Sequence, residues 1–220
     1  MGDLKKMQNQ SNNQSNYDIM RDRMENEFLK YDQEKMIQKF NLTYDEDYLY
    51  INFIHQLYRV NRKTGRVEGS LSGTFEDAYH ANYNEAMTIF DVLGYSKDDC
   101  HLSGQFVKLD NLKGVVQLST SHTNSSMFAD ITKYFDEHFE DLSSACEKLG
   151  GIKQNIGDLS YQIPLFDFLP IIFQFWESDD EFDAILKVMW DENIIQYIHY
   201  ETCFFAMSHL FNKLKAEIAN

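Results

Sequence analysis

The sequence predicts an α+β fold in which a mainly antiparallel sheet, made of a meander and hairpins, packs against about four helices. Two observations predict it. In some segments, such as residues 48–53, apolar and polar residues alternate as they do in half-buried strands. In others, such as residues 204–218, apolar residues recur every three or four positions, as they do in amphipathic helices. Turn residues such as Thr64-Gly65 and Asp110-Asn111 separate the strand segments and favour a meander and a hairpin.

Length and composition predict one domain. The chain has 220 residues, 43% of them hydrophobic, including 17 Phe and 13 Tyr, which is enough to bury one sizeable core. We assign this domain to residues 17–220. Residues 1–16 are rich in Asn, Gln and Ser and contain no aromatic or β-branched residue, so we predict that they form a disordered polar tail.

The charge and the polar start of the chain narrow the classes of function. The formal net charge is -15, which repels phosphate backbones and anionic membranes, so we expect neither nucleic acid nor a membrane as partner. No apolar run approaches the roughly 18 residues that span a bilayer, and the polar first residues lack the apolar segment of a signal peptide. We therefore predict a cytoplasmic protein. Cys100, Cys146 and Cys203 lie far apart and are predicted to be reduced, the last two in the core.

Changes of hydrophobic period predict the elements of the first half of the domain. In order, they are an amphipathic surface helix at residues 17–40, a β-meander at 48–67, a helix at 75–93 that ends at Gly94, and a hairpin at 101–118. The hairpin is predicted because a turn-prone cluster separates Phe106-Val107 from Val115-Val116. A further helix is predicted at residues 126–149, where Gly150-Gly151 ends it.

The last block, residues 161–218, is predicted to form a strand, an acidic loop, a second strand and a closing helix at residues 201–218. Alternation places one set of side chains on a common buried face of the two strands: Ile171, Phe173 and Phe175 on the first, and Ala184, Leu186, Val188 and Trp190 on the second. Gln174 and Lys187 lie on the opposite face among apolar neighbours, which suggests that a helix covers half of that face.

This last block also carries a resemblance to a known family. The run PLFDFLPIIFQFWESDDEF, the tetrapeptide WDEN and the run YETCFFAMSHLFNKL resemble the bacterial and archaeal family called domain of unknown function 3786, and the resemblance extends over about residues 25–218. The family has no assigned reaction, so the resemblance implies no catalytic residue. Some relatives are attached to iron–sulfur or corrinoid-related modules of anaerobes. The separated cysteines of this chain imply that it meets such chemistry through a partner.

The acidic loop between the last two strands is the first candidate site. Its carboxylates are Glu177, Asp179, Asp180, Glu181 and Asp183. Oxygen-rich clusters attract Ca²⁺ or Mg²⁺, which makes Asp179, Asp180 and Glu181 candidate metal ligands. The EF-hand pattern does not match, because its turn Gly and its late Glu are missing. A solvated hairpin loop or an edge that contacts a partner explains the same residues.

His199 and Glu201 form the second candidate. A carboxylate near an imidazole can orient it for acid–base chemistry, so Asp180, Glu181, His199 and Glu201 are the candidate catalytic residues. The alternative is that Glu201 only stabilises the start of the last helix, where the helix dipole attracts a negative charge. Convergence of the four side chains in the folded chain would favour the catalytic interpretation.

The hydroxyl-rich loop STSHTNSS, residues 119–126, is the third candidate. It leads into a predicted helix, so Asn124 and Ser125 could bind a phosphate or carboxylate ligand, with Lys113 and His122 supplying positive charge. Ordinary capping of that helix by Asn124 or Ser125 is the alternative.

Familiar catalytic motifs are missing from the sequence. There is no GxxxxGK[ST] nucleotide loop and no GxGxxG after a strand, and Leu71 stands where a hydrolase would have its nucleophilic Ser. The leading hypothesis is therefore a cytosolic accessory or small-ligand-binding domain that takes a small molecule or a protein partner. The alternative is a small enzyme that uses carboxylate and His acid–base chemistry, alone or with a divalent cation. No particular cofactor and no oligomeric state are predicted.

Overall fold

The computed structural model describes residues 15–112 and 128–219 and confirms the α+β class. The helices are α1 (Asn16–Phe28), α2 (Gln33–Phe40), α3 (Tyr83–Tyr95), α4 (Ala129–Glu137), α5 (Phe139–Lys148) and α6 (Tyr200–Ile218). The strands are β1 (Thr43–Tyr44), β2 (Tyr48–Phe53), β3 (Gln56–Asn61), β4 (Val67–Ser70), β5 (Tyr79–His80), β6 (Phe106–Val107), β7 (Ile152–Lys153), β8 (Leu159–Phe166), β9 (Leu169–Trp176) and β10 (Ile185–Asp191). The predicted tail up to residue 14 lies outside the described residues, as do the predicted second strand of the 101–118 hairpin and the STSHTNSS loop.

One antiparallel sheet contains every strand of the described ranges, in the order β5-β4-β3-β2-β8-β9-β10-β6, with β1 added to β2 and β7 added to β8. The predicted meander is confirmed as β2, β3 and β4. The two halves of the sheet meet where β2 pairs with β8, and the residue pair at this point is Phe53 of β2 opposite Phe166 of β8. We call this meeting point the seam; the front half comprises β1 to β5, and the rear half comprises β6 to β10.

The N-terminal segment forms two helices, so the predicted single helix at residues 17–40 is wrong. The reason is a local cap: the Asp32 side chain accepts a hydrogen bond from the Lys35 backbone N–H at 3.1 Å and starts α2. The apolar residues of α1 are buried unequally. Ile19 and Met20 are exposed, whereas Phe28 at the end of the helix is fully buried.

The predicted helix at residues 75–93 begins eight residues later than expected, at Tyr83. Asn82 caps it, and Glu85 returns a hydrogen bond to the Asn82 backbone, which completes a capping box. Phe75 and Tyr79 therefore precede the helix, and Gly94 lies inside it instead of ending it. The Gly94 Cα approaches the Tyr31 ring so closely that a side chain would collide with it.

The predicted helix at residues 126–149 is divided into α4 and α5 at His138. The His138 Nδ1–H donates to the Tyr134 carbonyl oxygen at 2.8 Å, which would otherwise accept from the His138 backbone N–H; that N–H donates to the Phe135 carbonyl instead. Both helices pack on the rear half of the sheet, where Phe135 contacts Phe173 and Phe139 contacts Phe175.

The rear half confirms the predicted pairing of faces. Ile171 lies opposite Trp190, Phe173 opposite Val188 and Phe175 opposite Leu186, and the odd-numbered residues of β9 are fully buried. The closing helix is confirmed as α6, and Cys146 and Cys203 are buried as predicted. None of the helices in the described ranges is long and apolar enough to cross a lipid bilayer.

Candidate functional site

Two hairpin turns meet at the seam. Ile54-His55 joins β2 to β3, and Asp167-Phe168 joins β8 to β9. Both residues of the first turn have positive φ, 47° at Ile54 and 55° at His55. Such turns normally contain Asn-Gly, and a β-branched residue in this region costs about 1–3 kcal/mol. Burial of Ile54 and its N–H bond to the Leu165 carbonyl, at 2.9 Å, hold the strained turn and leave His55 exposed at the seam.

A cleft of about 280 Å³ opens beside this turn, and we call it the seam cleft. Its lining is polar on most sides: Asn52, His55, Gln56, Leu57, Ser70, Leu71, Ser72, Gly73, Pro164, Phe166 and Asp167. The Asn52 side-chain amide donates to the Asp167 carboxylate at 3.0 Å and bridges the two halves of the sheet. A second groove, of about 300 Å³, adjoins the cleft and shares Asn52, Leu57 and Asp167 with it.

Asp77 fixes the loop that forms one wall of the cleft. Its carboxylate accepts hydrogen bonds from the hydroxyls of Ser70 and Ser72 at 2.6 and 2.8 Å, and from the backbone N–H groups of Leu71 and Ser72 at 2.9 Å. These bonds, the one from the Ser70 hydroxyl first, hold the pKa of Asp77 well below its usual range. The wall is therefore shaped by an ionised carboxylate.

A buried polar network lies beneath the cleft. Its centre is Glu85, whose Oε1 accepts hydrogen bonds from the hydroxyls of Tyr58 and Tyr79 at 2.8 and 2.9 Å. The His209 Nε2 lies 3.2 Å from the Tyr58 hydroxyl. The residues come from strands β3 and β5 and helices α3 and α6, so only the folded chain brings them together.

Gln56 connects this network to the cleft. Its Nε2 donates to the Tyr79 hydroxyl at 2.7 Å, and its Oε1 accepts from the Lys213 ammonium at 2.8 Å. A continuous chain of hydrogen bonds thus leads from Lys213 through Gln56 and Tyr79 to Glu85. Because Gln56 also lines the cleft, a bound molecule there would contact a member of the chain directly.

Burial shifts the pKa values of the network. It lowers the pKa of His209 to about 3, so this imidazole is neutral at pH 7, and it lowers the pKa of Lys213. Burial also raises the pKa of Tyr79 to about 12 and that of Tyr58 further. Perturbed groups beside a cleft are typical of functional sites, although a structural network produces them too. Glu85 does have a structural role, because its Oε2 accepts from the Asn82 N–H at 2.7 Å and caps α3.

The structure does not bring the candidate ligands of the acidic loop together with other ligands among the described residues. Asp179, Asp180 and Glu181 are exposed, and the Asp179 carboxylate accepts from the backbone N–H groups of Glu181 and Phe182 at 2.8 Å, which shapes a local turn. Within the described ranges, one group of three potential ligands comes together, and it contains none of these carboxylates.

The four candidate catalytic residues are not brought together either. The His199 Nδ1 lies 2.6 Å from Asp91 Oδ1, so its partner is Asp91 and not Glu201, which is exposed in the first turn of α6. Asp180 and Glu181 precede the first residue of β10, whereas His199 follows its last. Seven strand residues separate the two ends by about 20 Å. Lys113, His122, Asn124 and Ser125, the candidate ligand-binding residues, lie outside the described residues.

Sequence reasoning missed the network and the cleft. Tyr58, Tyr79, Glu85 and Lys213 belong to no contiguous motif, and Tyr79 and Glu85 fell within the predicted 75–93 helix. The available signal was the pair Asn82 and Glu85, whose spacing is that of a capping box and would have moved the start of the helix.

Fold and site together define an α+β protein with a polar cleft where the two halves of its antiparallel sheet meet. The family model described as Domain of unknown function (DUF3786) matches residues 32–213, which is most of the chain. The chain belongs to this family, as its last block predicted. Neither a curated protein nor a solved structure matches the chain.

Proposed function

We propose that this chain is a cytoplasmic accessory protein that binds one small polar molecule in the seam cleft. The observation that carries the proposal is the strained Ile54-His55 turn, which is held by the core and presents His55 at the mouth of the cleft. Strain of this kind persists where surrounding structure fixes it and is concentrated at binding and catalytic sites.

The lining of the cleft supports a particular class of ligand. A volume of about 280 Å³ suits a small metabolite rather than a dinucleotide. Asn52, Gln56 and Ser72 offer hydrogen-bond donors and acceptors, whereas Phe166 and Pro164 offer an apolar wall. Two carboxylates, Asp167 in the lining and Asp77 behind it, disfavour an anion. The expected ligand is therefore a neutral or cationic molecule with several hydroxyl or amide groups.

The cellular role that we propose is a contribution to cofactor-dependent metabolism in an anaerobic bacterium, through a protein partner. The resemblance to relatives that are attached to iron–sulfur or corrinoid-related modules supports this role. Cys146 and Cys203 are buried, and burial raises the pKa of both thiols. The thiolates of a metal cluster would thus come from the partner.

Native mass spectrometry of the protein purified from its own host tests ligand binding. We expect one retained small molecule in the wild-type protein and its loss in Asp167→Ala, because Asp167 lines the cleft. Asp180→Ala is the matched control, since it also removes one exposed carboxylate from a loop between strands of the rear half. Retention by Asp167→Ala together with loss in Asp180→Ala would place the ligand at the acidic loop and overturn the proposal.

An acid–base enzyme is the second candidate, and one observation favours it. Lys213, whose pKa is lowered by burial, reaches the lining of the cleft through Gln56. In an enzyme, the mass of the retained molecule would change on incubation, and Lys213→Met would keep the molecule but stop the change. In an accessory protein, the mass would stay constant in both.

A further inference from the structure

Helix α1 packs against α3 and turns two charged side chains, as well as Phe28, toward the domain. The Arg21 guanidinium donates to the Ala81 carbonyl at 3.3 Å, and the Glu25 side chain is only 15% exposed. Tyr17 and Ile19, by contrast, are 63% and 51% exposed. An amphipathic surface helix normally turns apolar side chains to the protein, as α1 does with Phe28, so the inward charges of Arg21 and Glu25 require polar partners on the same side.

One such partner is His80 on the edge strand β5. Asp22 and Glu25 are one turn apart on α1, and each offers a carboxylate oxygen to the space in front of the imidazole. The three ligand atoms lie within 4.8 Å of one another, and the His80 Nε2 is 2.6 Å from Glu25 Oε1. All three residues are half-buried, so they are shielded from bulk water but can be reached by an ion.

Three carboxylates of α1 lie close together beside a single arginine of the helix. Arg21 is shared by two carboxylates, with its Nη1 3.2 Å from Asp18 and its Nη2 3.0 Å from Asp22. Glu25 adds a third carboxylate to the same side of the helix. Holding half-buried carboxylates together costs free energy unless a positive charge compensates them, and a divalent cation supplies two charges at one point.

We propose that Asp22, Glu25 and His80 bind a divalent transition-metal ion of the zinc class, which fastens α1 to the edge of the sheet. One imidazole nitrogen and two carboxylate oxygens are ligands that zinc accepts at about 2.0–2.2 Å, and three protein ligands leave a fourth position for water. Ligands of a tetrahedral ion are about 3.5 Å apart, so small rotations of the side chains suffice. Arg21 would orient Asp22 from outside the coordination sphere.

The site would be a feature of this chain beyond the family pattern. The family match begins at residue 32, after α1, whereas His80 lies within it. The metal would therefore join a helix outside the matched region to a strand inside it. The proposal is independent of the seam cleft. Its alternative is that the hydrogen bond between His80 and Glu25 holds the helix without metal.

Titration of chelator-treated, full-length protein with Zn²⁺ distinguishes the two. We expect one equivalent to bind and the melting temperature to rise with Zn²⁺ concentration, because the ion binds the native state. His80→Asn and Glu25→Gln should each weaken binding by about tenfold or more. Glu27→Gln, on the same helix but paired with Lys30 at 2.6 Å, should bind like wild type. Equal binding by all variants, or no binding to wild type, would overturn the proposal.

A spectroscopic measurement on the wild-type protein guards against variants that fold poorly. Co²⁺ bound by Asp22, Glu25 and His80 should show visible d–d bands without a thiolate charge-transfer band, because the site contains no sulfur. A thiolate band would place the metal at Cys100, Cys146 or Cys203 and would contradict the proposed ligands.

Discussion

Glu85 and Asp191 are the two buried carboxylates of the described core, and they are stabilised in opposite ways. Glu85 is 4% exposed and Asp191 is 1% exposed. Asp191, at the end of β10 in the rear half, accepts from three backbone N–H groups: Ser103 at 3.0 Å, Gly104 at 2.8 Å and Asn193 at 2.9 Å. Glu85 accepts mainly from tyrosine hydroxyls.

The two kinds of donor differ in how freely they can rearrange. Backbone donors neither titrate nor rotate, so Asp191 acts as a latch that fastens the loop before β6 to the end of β10. Tyrosine hydroxyls can rotate and exchange partners. The Glu85 network also ends at Gln56 in the lining of the seam cleft, whereas the hydrogen bonds of Asp191 within the described residues go to Ser103, Gly104 and Asn193.

The largest expected effect is a difference in stability between matched amide variants. Asp191→Asn should lower the free energy of unfolding by about 3 kcal/mol, because its amide N–H would face a backbone N–H that cannot reorient. Glu85→Gln should cost about 1 kcal/mol, because the Gln oxygen can keep the Asn82 N–H while the Tyr58 and Tyr79 hydroxyls rotate to accept from its amide N–H groups. Urea unfolding measures both, with the exposed Asp183→Asn as control. Equal losses of unfolding free energy in the two variants would show that backbone donors and tyrosine hydroxyls stabilise a buried carboxylate in the same way.

The second effect concerns acid stability in the Glu85 network. His209 faces Tyr58, Glu85 and Phe53, and its pKa falls from 6.5 to about 3 in the folded protein. Between these values the unfolded chain holds a proton that the folded chain does not, so folding stability falls as the pH falls through this window. One such proton is worth about 1.4 kcal/mol per pH unit.

His209→Gln should therefore reduce the dependence of stability on pH between about pH 6.5 and pH 4. The check is the slope of the free energy of unfolding against pH, compared with wild type. His199→Gln is the control, because His199 is exposed and paired with Asp91. A slope that is unchanged in His209→Gln would show that the imidazole is protonated in the folded protein.

The faces of the strands could be predicted better than the boundaries of the helices for a physical reason. Side chains alternate strictly along a strand, so Phe173 and Val188 could be assigned to one face from the sequence alone. Helix boundaries depend on single side chains: Asp32 and Asn82 start helices inside segments whose apolar period continues unbroken. The sequence therefore predicted the meander, the faces of β9 and β10 and the last helix; it did not separate β8 from β9, and it misplaced the ends of the earlier helices.

The candidate site lay beyond sequence reasoning because distance along the chain hides it. Gln56 and Lys213 are 157 residues apart and meet only because α6 packs over the seam. Conversely, Glu181 and His199 are near in sequence, but β10 holds them at opposite ends. To predict that the acidic loop and His199 lie apart, one would need the length of the strand between them, which the hydrophobic period gives only approximately.

The smallest expected effect tests whether the strained turn at the seam lowers folding stability and favours ligand binding. His55→Gly should raise the free energy of unfolding by about 0.5–1 kcal/mol, because glycine adopts a φ of 55° without strain, and should weaken retention of the ligand, because the imidazole is lost. Asn41→Gly is the matched control: Asn41 has a φ of 50°, but Asn tolerates this region, so stability should hardly change. Asn41 lines the adjoining groove, so loss of ligand there would move the binding site out of the seam cleft. A destabilised His55→Gly would mean that the turn is held by contacts of His55 itself, such as its approach to Gly150, and not by the core around Ile54.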